Sequence, residues 1–267
     1  MPILHKHPIE PISQDVFSKI DYDVTGAAFT AQNELGRLFD ETHYAQFLEN
    51  YLRKRDFQVE HEYKVSLQFQ DFKKDYFIDL LVNNSVPYEL KTVEKLNREH
   101  DAQTLNYLYL CNVRHGEILN FRKPSLERRF ISTTLLREDR RKFTIEERGW
   151  CECCNPKIKD VVNGLLNEWG THLSLKVYRR AFIHFCCSQR LSNEPLKIKR
   201  KSGYSGDITL NRIDEDRFLY LTSNNKHLKD YEKHLHKILE LTDQHTAQWV
   251  HFDRNHVHLR SIHSPPK

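Results

Sequence analysis

The segment from Tyr76 to Lys91 carries the residue types of a hydrolytic metal site. Its sequence, YFIDLLVNNSVPYELK, places Asp79 in an apolar strand and, after an Asn/Ser/Pro turn, ends in Glu89 and Lys91. Side chains two positions apart in a strand point to the same face, so Glu89 and Lys91 lie side by side. If the two strands pair as a hairpin, Asp79 comes close to Glu89.

The chemistry that this arrangement favours is metal-assisted phosphodiester hydrolysis. Two carboxylates and a nearby carbonyl, that of Leu90, form a hard oxygen site that suits Mg²⁺ or Mn²⁺. A lysine beside the ion can polarise a water molecule or a phosphate oxygen. The alternative is that Glu89 and Lys91 form a solvated surface pair. The apolar residues around Asp79 argue against this alternative, because an acid in such a strand needs a partner or a metal.

The composition indicates a globular chain that can bind nucleic acid. The 267 residues carry a formal net charge of +4, which permits nucleic-acid binding without requiring it. Basic clusters lie at 137–142 and 197–201, although each can equally be a solvated face. No apolar run is long enough to span a membrane, and the N-terminus has no signal-peptide pattern. These features predict a cytoplasmic protein with no membrane partner.

Six cysteines allow two interpretations. Cys151 and Cys154 have the spacing of half a zinc knuckle, and Cys186 and Cys187 could complete it. The second pair is adjacent and lacks ligand spacing, so reduced structural thiols are the favoured interpretation.

Hydrophobic periodicity predicts an α/β protein with two halves. In the first half, helices are expected at 14–36, 39–55 and 97–110, and strands at 57–69, in the hairpin, and at 117–121 and 128–134. We divide the chain into a domain at 14–137, a linker at 138–156 and a C-terminal α/β domain at 157–263. In the second half we expect helices at 176–187 and 225–241, a strand at 195–200, a hairpin of 207–211 with 218–222, and strands at 247–253 and 256–261.

The second half repeats the predicted element order of the first, α-β-β-β-α-β-β. In this comparison Tyr220 takes the place of Glu89 and Thr222 that of Lys91, while Asp207 can replace Asp79 only with a gap. The C-terminal half is therefore a degenerate copy without the metal site, which could form an intramolecular pseudo-dimer with the first half, or it is a separate small α/β domain.

Several short blocks resemble the GxxExxY family of the PD-(D/E)XK nuclease superfamily, over roughly 25–131. Residues 34–36 (ELG) match the end of the family's first helix, and 38–44 match its name motif, with Glu41 and Tyr44 kept but Leu38 in place of the glycine. Asp79 and the Glu-Leu-Lys at 89–91 match the superfamily's D…ExK core, with Ile78 where a proline is usual. Residues 100–108 resemble its H-x-A-Q-L-L-N-Y-L helix, and 120–121 its closing Asn-Phe segment.

The resemblance implies a restriction-endonuclease-like core, in which helices flank a central mixed sheet, and a Mg²⁺- or Mn²⁺-dependent nuclease that acts on DNA. It implies that Asp79, Glu89 and the Leu90 carbonyl bind the metal, and that Lys91 assists catalysis. Glu41 becomes a candidate third acid, although the dipole of the helix that it opens could alone explain it.

The same resemblance assigns the substrate-binding residues to the 97–110 helix. Gln103 and Tyr107 are four positions apart and share a face, and His100 lies on the same stripe of the helix. Gln103 would orient the lysine or a phosphate, and Tyr107 would contact the DNA backbone; alternatively, Tyr107 is a core residue and Gln103 a surface residue. The rival function is a non-catalytic nucleic-acid-binding or protein-binding module that keeps the nuclease fold.

Overall fold

The computed structural model describes residues 2–151, 156–200, 203–223 and 228–264. The chain divides into two compact units, Met1–Asp139 and Arg140–Lys267. Among the described residues, no helix has the length and apolar character needed to cross a bilayer.

The first unit begins with a short strand and two helices. Strand β1 (Ile3–His5) is followed by α1 (Gln14–Leu35) and α2 (Glu41–Arg53). The Ser13 side chain caps the start of α1 by accepting a hydrogen bond from the Val16 amide. Gly36 ends α1 with φ = 75°, a left-handed conformation that glycine adopts without a Cβ penalty.

The rest of the first unit is a sheet with one crossover helix. Its elements are β2 (Val59–Phe69), β3 (Phe72–Val82), β4 (Val86–Lys91), α3 (Arg98–Cys111), β5 (His115–Asn120) and β6 (Glu127–Ser132). The strands lie in the order β1-β2-β3-β4-β5-β6. β4 and β5 are parallel and α3 connects them, whereas the other neighbours are antiparallel. The predicted mixed sheet flanked by helices is confirmed.

The core of this unit lies between α1, α2 and one face of the sheet. Apolar residues spaced three or four apart on the two helices pack against alternate residues of β3, β4 and β5. The residues of the sheet in this cluster include Leu80, Tyr88, Leu90 and Leu119. Because Tyr88 and Leu90 are buried here, Glu89 and Lys91 are directed to the opposite face, as strand alternation predicts.

The second unit contains five helices or helical turns, if α4 at the boundary is included, and seven strands, within the residues that the structure describes. Its helices are α4 (Arg137–Arg140), α5 (Pro156–Trp169), α6 (Leu175–Cys186), α7 (Gln189–Asn193) and α8 (Leu228–Leu241). Its strands are β7 (Thr144–Glu147), β8 (Leu196–Arg200), β9 (Gly203–Ile208), β10 (Asn211–Arg212), β11 (Arg217–Ser223), β12 (Thr246–Asp253) and β13 (His256–His263). Five strands form a sheet in the order β10-β11-β12-β13-β7, and β8 pairs with β9 separately.

Three sequence predictions for this unit need correction. Part of the predicted linker, β7, pairs with β13 in the second sheet; the charged run TIEE gave no clear strand signal. The helix at Pro156–Trp169 was not predicted, although its apolar residues have helical spacing. Asp207 pairs with Lys197 in the separate β8–β9 hairpin, so it cannot take the place of Asp79 beside β11.

The cysteines are only partly described. Cys111, Cys186 and Cys187 are free thiols, as the favoured interpretation predicted. Cys151 is disulfide-bonded, so the prediction of reduced thiols is wrong at that position. The rest of the predicted half-knuckle, including Cys154, lies outside the described residues.

The two main sheets share one strand register. In the first unit Leu80 pairs with Tyr88, Glu89 with Ile118, and Asn120 with Glu127. In the second unit the residues 131 positions further along the chain form the corresponding pairs: Asn211 with Leu219, Tyr220 with Trp249, and His251 with His258. The order of pairing is antiparallel, parallel, antiparallel in both, and a 14-residue helix makes the crossover in each.

Candidate active site

Glu89 and Lys91 form an ion pair at the end of β4. Both side chains leave the strand on the face opposite Leu90, and Lys91 Nζ contacts Glu89 Oε1. The Glu89 side chain is 1% exposed and that of Lys91 is 12% exposed. The predicted alternative of a solvated surface pair is therefore wrong, because both charged groups are largely removed from water.

Asp79 joins this pair from the neighbouring strand. The backbone pairing of β3 with β4 includes Leu80 opposite Tyr88 but does not extend to Asp79. Instead, the Asp79 carboxylate accepts a hydrogen bond from the Leu90 amide at 2.7 Å. The structure thus brings Asp79 against the backbone between Glu89 and Lys91, as the hairpin argument predicted.

The site concentrates negative charge in a poorly solvated place. Burial, reinforced by the Asp79 charge, raises the pKa of Glu89 to about 8. Burial also raises the pKa of Asp79, against the opposing effects of the Leu90 amide and Lys91. For Lys91, burial lowers the pKa, but the charge and hydrogen bond of Glu89 together with the charges of Asp79 and Glu41 outweigh it, so the net shift is upward. Because ionising Asp79 and Glu89 at the same time is unfavourable here, a bound cation would stabilise their charged forms.

Glu41 supports the same segment from the start of α2. It is the first residue of that helix, and its Oε1 accepts a hydrogen bond from the Thr92 amide at 3.0 Å. Its charge raises the pKa of both Asp79 and Glu89. The structure therefore brings Glu41 to the predicted site, where it holds the residue that follows Lys91.

Helix α3 contributes the predicted Gln103–Tyr107 pair. Gln103 Nε2 donates a hydrogen bond to the Tyr107 hydroxyl at 3.1 Å. Burial raises the pKa of Tyr107, and the Glu89 charge adds to the shift. Tyr107 is thus close enough to the Glu89 carboxylate for their charges to interact. Its exposed fraction is only 7%, as the alternative interpretation of a core residue expects.

His100 has a structural role that the sequence interpretation missed. Its Nδ1 accepts a hydrogen bond from the Asn97 amide at 3.1 Å, while the Asn97 side chain accepts from the His100 amide. This reciprocal pair is a capping box at the start of α3. Substrate binding by His100 remains a prediction.

Asn120 is a residue of the site to which the sequence analysis assigned no role, although it belongs to the Asn-Phe segment at 120–121. It is the cross-strand partner of Lys91 and is fully buried. Its Oδ1 accepts from the Val93 amide at 3.1 Å, and its Nδ2 donates to the Val93 carbonyl and to Glu127, both at 2.8 Å. Asn120 therefore fixes the backbone just beyond Lys91. A polar residue at the end of a buried strand was the available signal.

Arg122 completes the support of this turn. Its Nε donates to the Thr92 carbonyl at 3.0 Å and its Nη1 to the Arg37 carbonyl at 3.1 Å. Thr92 is thus held through its amide by Glu41 and through its carbonyl by Arg122. The segment that carries Lys91 is fixed on both sides by long-range contacts, which favours a single geometry of the site.

The donor set fits a hard divalent cation. Asp79 and Glu89 supply carboxylate oxygens, and Leu90 supplies a backbone carbonyl, which are the ligand types that Mg²⁺ and Mn²⁺ accept. Glu89 Oε2 is buried and has no hydrogen-bond partner among the described residues, as expected of an atom that binds an ion. Within 2–151, 156–200, 203–223 and 228–264, no three or more His, Cys, Asp or Glu side chains are already grouped as a metal site.

Comparison with known proteins identifies the region that contains this site. Residues 18–131, fewer than half of the chain, match the family model described as the PD-(D/E)XK nuclease superfamily. This region is similar to that superfamily. The predicted superfamily and restriction-endonuclease-like fold are confirmed, while the narrower GxxExxY assignment remains a prediction. No curated protein and no solved structure matches the chain.

The PD-(D/E)XK match covers all the predicted site residues. Glu41, Asp79, Glu89, Lys91 and Gln103 all lie between 18 and 131, and Leu90, His100 and Tyr107 lie there as well. Asn120 also falls within the matched region. The second unit lies wholly outside it.

Proposed function

We propose that this protein is a Mg²⁺-dependent nuclease that hydrolyses DNA phosphodiester bonds. The observation that carries the proposal is the convergence of Asp79, Glu89 and Lys91 in a site that is largely removed from solvent, with no described partner for Glu89 Oε2. The PD-(D/E)XK superfamily supports a nuclease acting on nucleic acid; DNA as the substrate and Mg²⁺, or Mn²⁺, as the ion are our proposals.

In this proposal Asp79, Glu89 and the Leu90 carbonyl hold the metal. The bound ion would polarise the scissile phosphate and lower the pKa of a coordinated water molecule. Lys91 lies beside the same carboxylates, and its ammonium group would donate to a phosphate oxygen or orient the attacking water. Because the charge that it faces grows in the transition state, Lys91 acts chiefly on rate.

The other predicted residues hold the site and the substrate. Glu41 would keep the end of β4 in place through the Thr92 amide. Gln103 and Tyr107, joined by their hydrogen bond, would position the phosphate backbone. His100 would bind the substrate at the N-terminal end of the same helix. A GxxExxY-type nuclease and a cytoplasmic location remain predictions.

A second candidate function has its own support. Lys91 is paired with Glu89, and the described residues contain no preformed group of three metal-binding side chains. Both features are compatible with a binding module that keeps the nuclease fold without its chemistry. Retention of Asp79, Glu89 and Lys91 together favours the enzyme, because a binding module has no need of all three.

A cleavage assay separates the two functions. The full chain would be incubated with labelled single-stranded and duplex DNA in Mg²⁺, in Mn²⁺ and in EDTA. We expect metal-dependent cleavage that D79A and K91A each lower by about 100-fold or more, with circular dichroism unchanged. Cleavage that is equal in the wild type and both variants would come from a contaminant, and absence of metal-dependent cleavage would favour the binding module.

A further inference from the structure

Charge is divided unequally between the two units. Residues 1–139 contain 18 Lys and Arg against 22 Asp and Glu, whereas residues 140–267 contain 23 against 15. The net charges are therefore −4 and +8. An excess of basic residues in one part of a chain favours contact with a polyanion, so the second unit is the better candidate for holding nucleic acid.

The second unit also repeats details of the first that go beyond strand order. The Tyr44 hydroxyl donates to the Gly36 carbonyl eight residues earlier, and Tyr178 donates to Gly170 in the same way. The two glycines have φ values of 75° and 76°. Tyr44 stacks on Phe121, and Tyr178 stacks on Phe252, which lies 131 positions after Phe121. Shared register, turn and stacking together indicate one duplicated fold.

The residues of the metal site are replaced in this second copy. The shared register places Leu210, Tyr220 and Thr222 where the first unit has Asp79, Glu89 and Lys91. Leu210 is 8% exposed and belongs to the apolar core. Thr222 Oγ1 accepts from Trp249 Nε1 at 2.8 Å. These side chains offer no carboxylate, so the three positions lack the donors of a Mg²⁺ site.

Helix α6 presents a basic surface in the second unit. Its sequence, LKVYRRAFIHFC, contains no acidic residue. Lys176, Arg179 and Arg180 are exposed, and their spacing of three and four positions places them on one side of the helix. None of the three forms an ion pair within the part of the chain that the structure describes; Arg179 donates to the Leu221 carbonyl at 3.4 Å.

Helix α8 provides a contrast of similar length. Lys229, Lys233 and Lys237 are exposed at every fourth position, but the helix also carries acidic residues, namely Asp230, Glu232 and Glu240. Lys237 pairs with Glu240 at 2.8 Å, and Glu232 pairs with Arg260 at 3.3 Å. Positive charge on α8 is partly neutralised, whereas that on α6 is not.

We propose that the C-terminal unit is a copy of the nuclease fold that has lost its metal site and binds the phosphate backbone of nucleic acid through Lys176, Arg179 and Arg180 of α6. This inference rests on the proposed function for the nature of the substrate. Lys and Arg on an exposed helix face bind phosphates without reading sequence. The unit would therefore raise affinity for the substrate and leave the hydrolytic step to the first unit.

The test is DNA binding by the full chain in EDTA, measured by fluorescence anisotropy over a range of salt concentrations. K176E/R179E/R180E is compared with K229E/K233E/K237E, which changes the net charge equally. We expect the α6 variant to bind duplex DNA at least about tenfold more weakly than the α8 variant. The slope of log K against log salt should fall by about 0.9 for each phosphate that the variant no longer neutralises.

Further measurements keep the result decisive. If the charge-reversed α6 variant does not fold by circular dichroism, K176Q/R179Q/R180Q replaces it and should still weaken binding. Equal losses in the α6 and α8 variants, or none in either, would overturn the proposal. So would a loss of binding to phosphatidylserine vesicles with DNA binding intact, since that would assign the face to a membrane surface. Wild-type chain that binds DNA through α6 but never cleaves it would refute the nuclease function alone.

Discussion

The two units of this protein have the same strand register but different polar residues. From the pairing of Leu80 with Tyr88 onward, every cross-strand pair of the first sheet except Val82 with Val86 has its counterpart 131 positions later. Yet Glu89 corresponds to Tyr220, and Lys91 to Thr222. The comparison indicates that apolar alternation and turn geometry determine this architecture, while very few side chains determine whether it can bind a metal.

The comparison also separates roles within the first unit. The Tyr44–Gly36 hydrogen bond recurs as Tyr178–Gly170, so it belongs to the scaffold. The Asp79–Leu90 hydrogen bond cannot recur at the corresponding position, because Leu210 has no polar side-chain atom. Features shared by the units should therefore affect stability, and features confined to the first unit should affect activity.

The largest effect is expected when Lys91 is replaced by threonine, the residue at the corresponding position of the second unit. K91T should lower metal-dependent DNA cleavage by about 100-fold or more, because it removes the ammonium group that, in the proposed function, faces the scissile phosphate. The fold should persist, since threonine already occupies the corresponding strand position at Thr222. Steady-state cleavage rates and circular dichroism measure the two effects.

The matched control for that substitution is T222A. It removes a hydroxyl at the equivalent position of the second unit, where no chemistry is expected, so kcat should stay at the wild-type value. A fall in kcat for T222A similar to that for K91T would mean that the site is not confined to the first unit.

A smaller loss of activity is expected from N120A. Without the Asn120 amide group, Val93 loses two hydrogen bonds and the end of β4 is free to shift, so kcat should fall by about 10- to 100-fold with little change in KM. N120D/E127Q restores the acceptor for the Val93 amide and a donor from residue 127, and should recover part of the rate. If N120A lowers kcat only as much as its loss of unfolding free energy explains, and N120D/E127Q recovers no activity, Asn120 has a structural role alone.

Stability should respond alike in the two units when the shared tyrosine is changed. Y44F and Y178F each remove one hydroxyl from a glycine carbonyl, at a cost of about 1 kcal/mol. All three tryptophans, at 150, 169 and 249, lie in the second unit. Urea unfolding followed by fluorescence should therefore register Y178F, and circular dichroism should register both. If only one of the two variants lowers the free energy of unfolding, the Tyr44–Gly36 and Tyr178–Gly170 hydrogen bonds are not equivalent.

A pH dependence of stability is expected from Glu117 of the first unit. Burial and the neighbouring Asp21 raise the pKa of Glu117 to about 8, whereas the second unit has Gln248 at the corresponding position. An acid with a raised folded-state pKa contributes stability below its ordinary pKa and loses it as pH rises toward 8. The change is at most about 1.4 kcal/mol per pH unit.

E117Q should remove this contribution. In EDTA, the stability of the wild type should fall more steeply between about pH 4.5 and pH 8 than that of E117Q, measured by urea unfolding. Identical slopes for the two proteins would show that Glu117 does not titrate in this range.

The sequence was sufficient to predict the part of the fold that depends on periodicity. Strong apolar patterns located α1, α2, α3 and the strands around Asp79, and strand alternation brought Asp79, Glu89 and Lys91 together. Short motifs then pointed to the superfamily. These signals are local, so a single sequence reveals them.

What the sequence did not reveal depends on contacts between distant residues. Asn120 acts through Val93 and Glu127, and Arg122 through Thr92 and Arg37; no local pattern indicates such bonds. The run TIEE became strand β7 because β13 offered an edge to pair with. Asp207 could not be excluded from the site before the separate β8–β9 hairpin was known.

Metal binding by the full chain tests the central claim most directly, because the claim is that only the first unit holds a metal site. Mn²⁺ titration by calorimetry would compare the wild type, D79N/E89Q and the second-unit variant Y220F. The account predicts that D79N/E89Q abolishes binding and that Y220F leaves it unchanged. Binding that persists in D79N/E89Q, or disappears in Y220F, would contradict it.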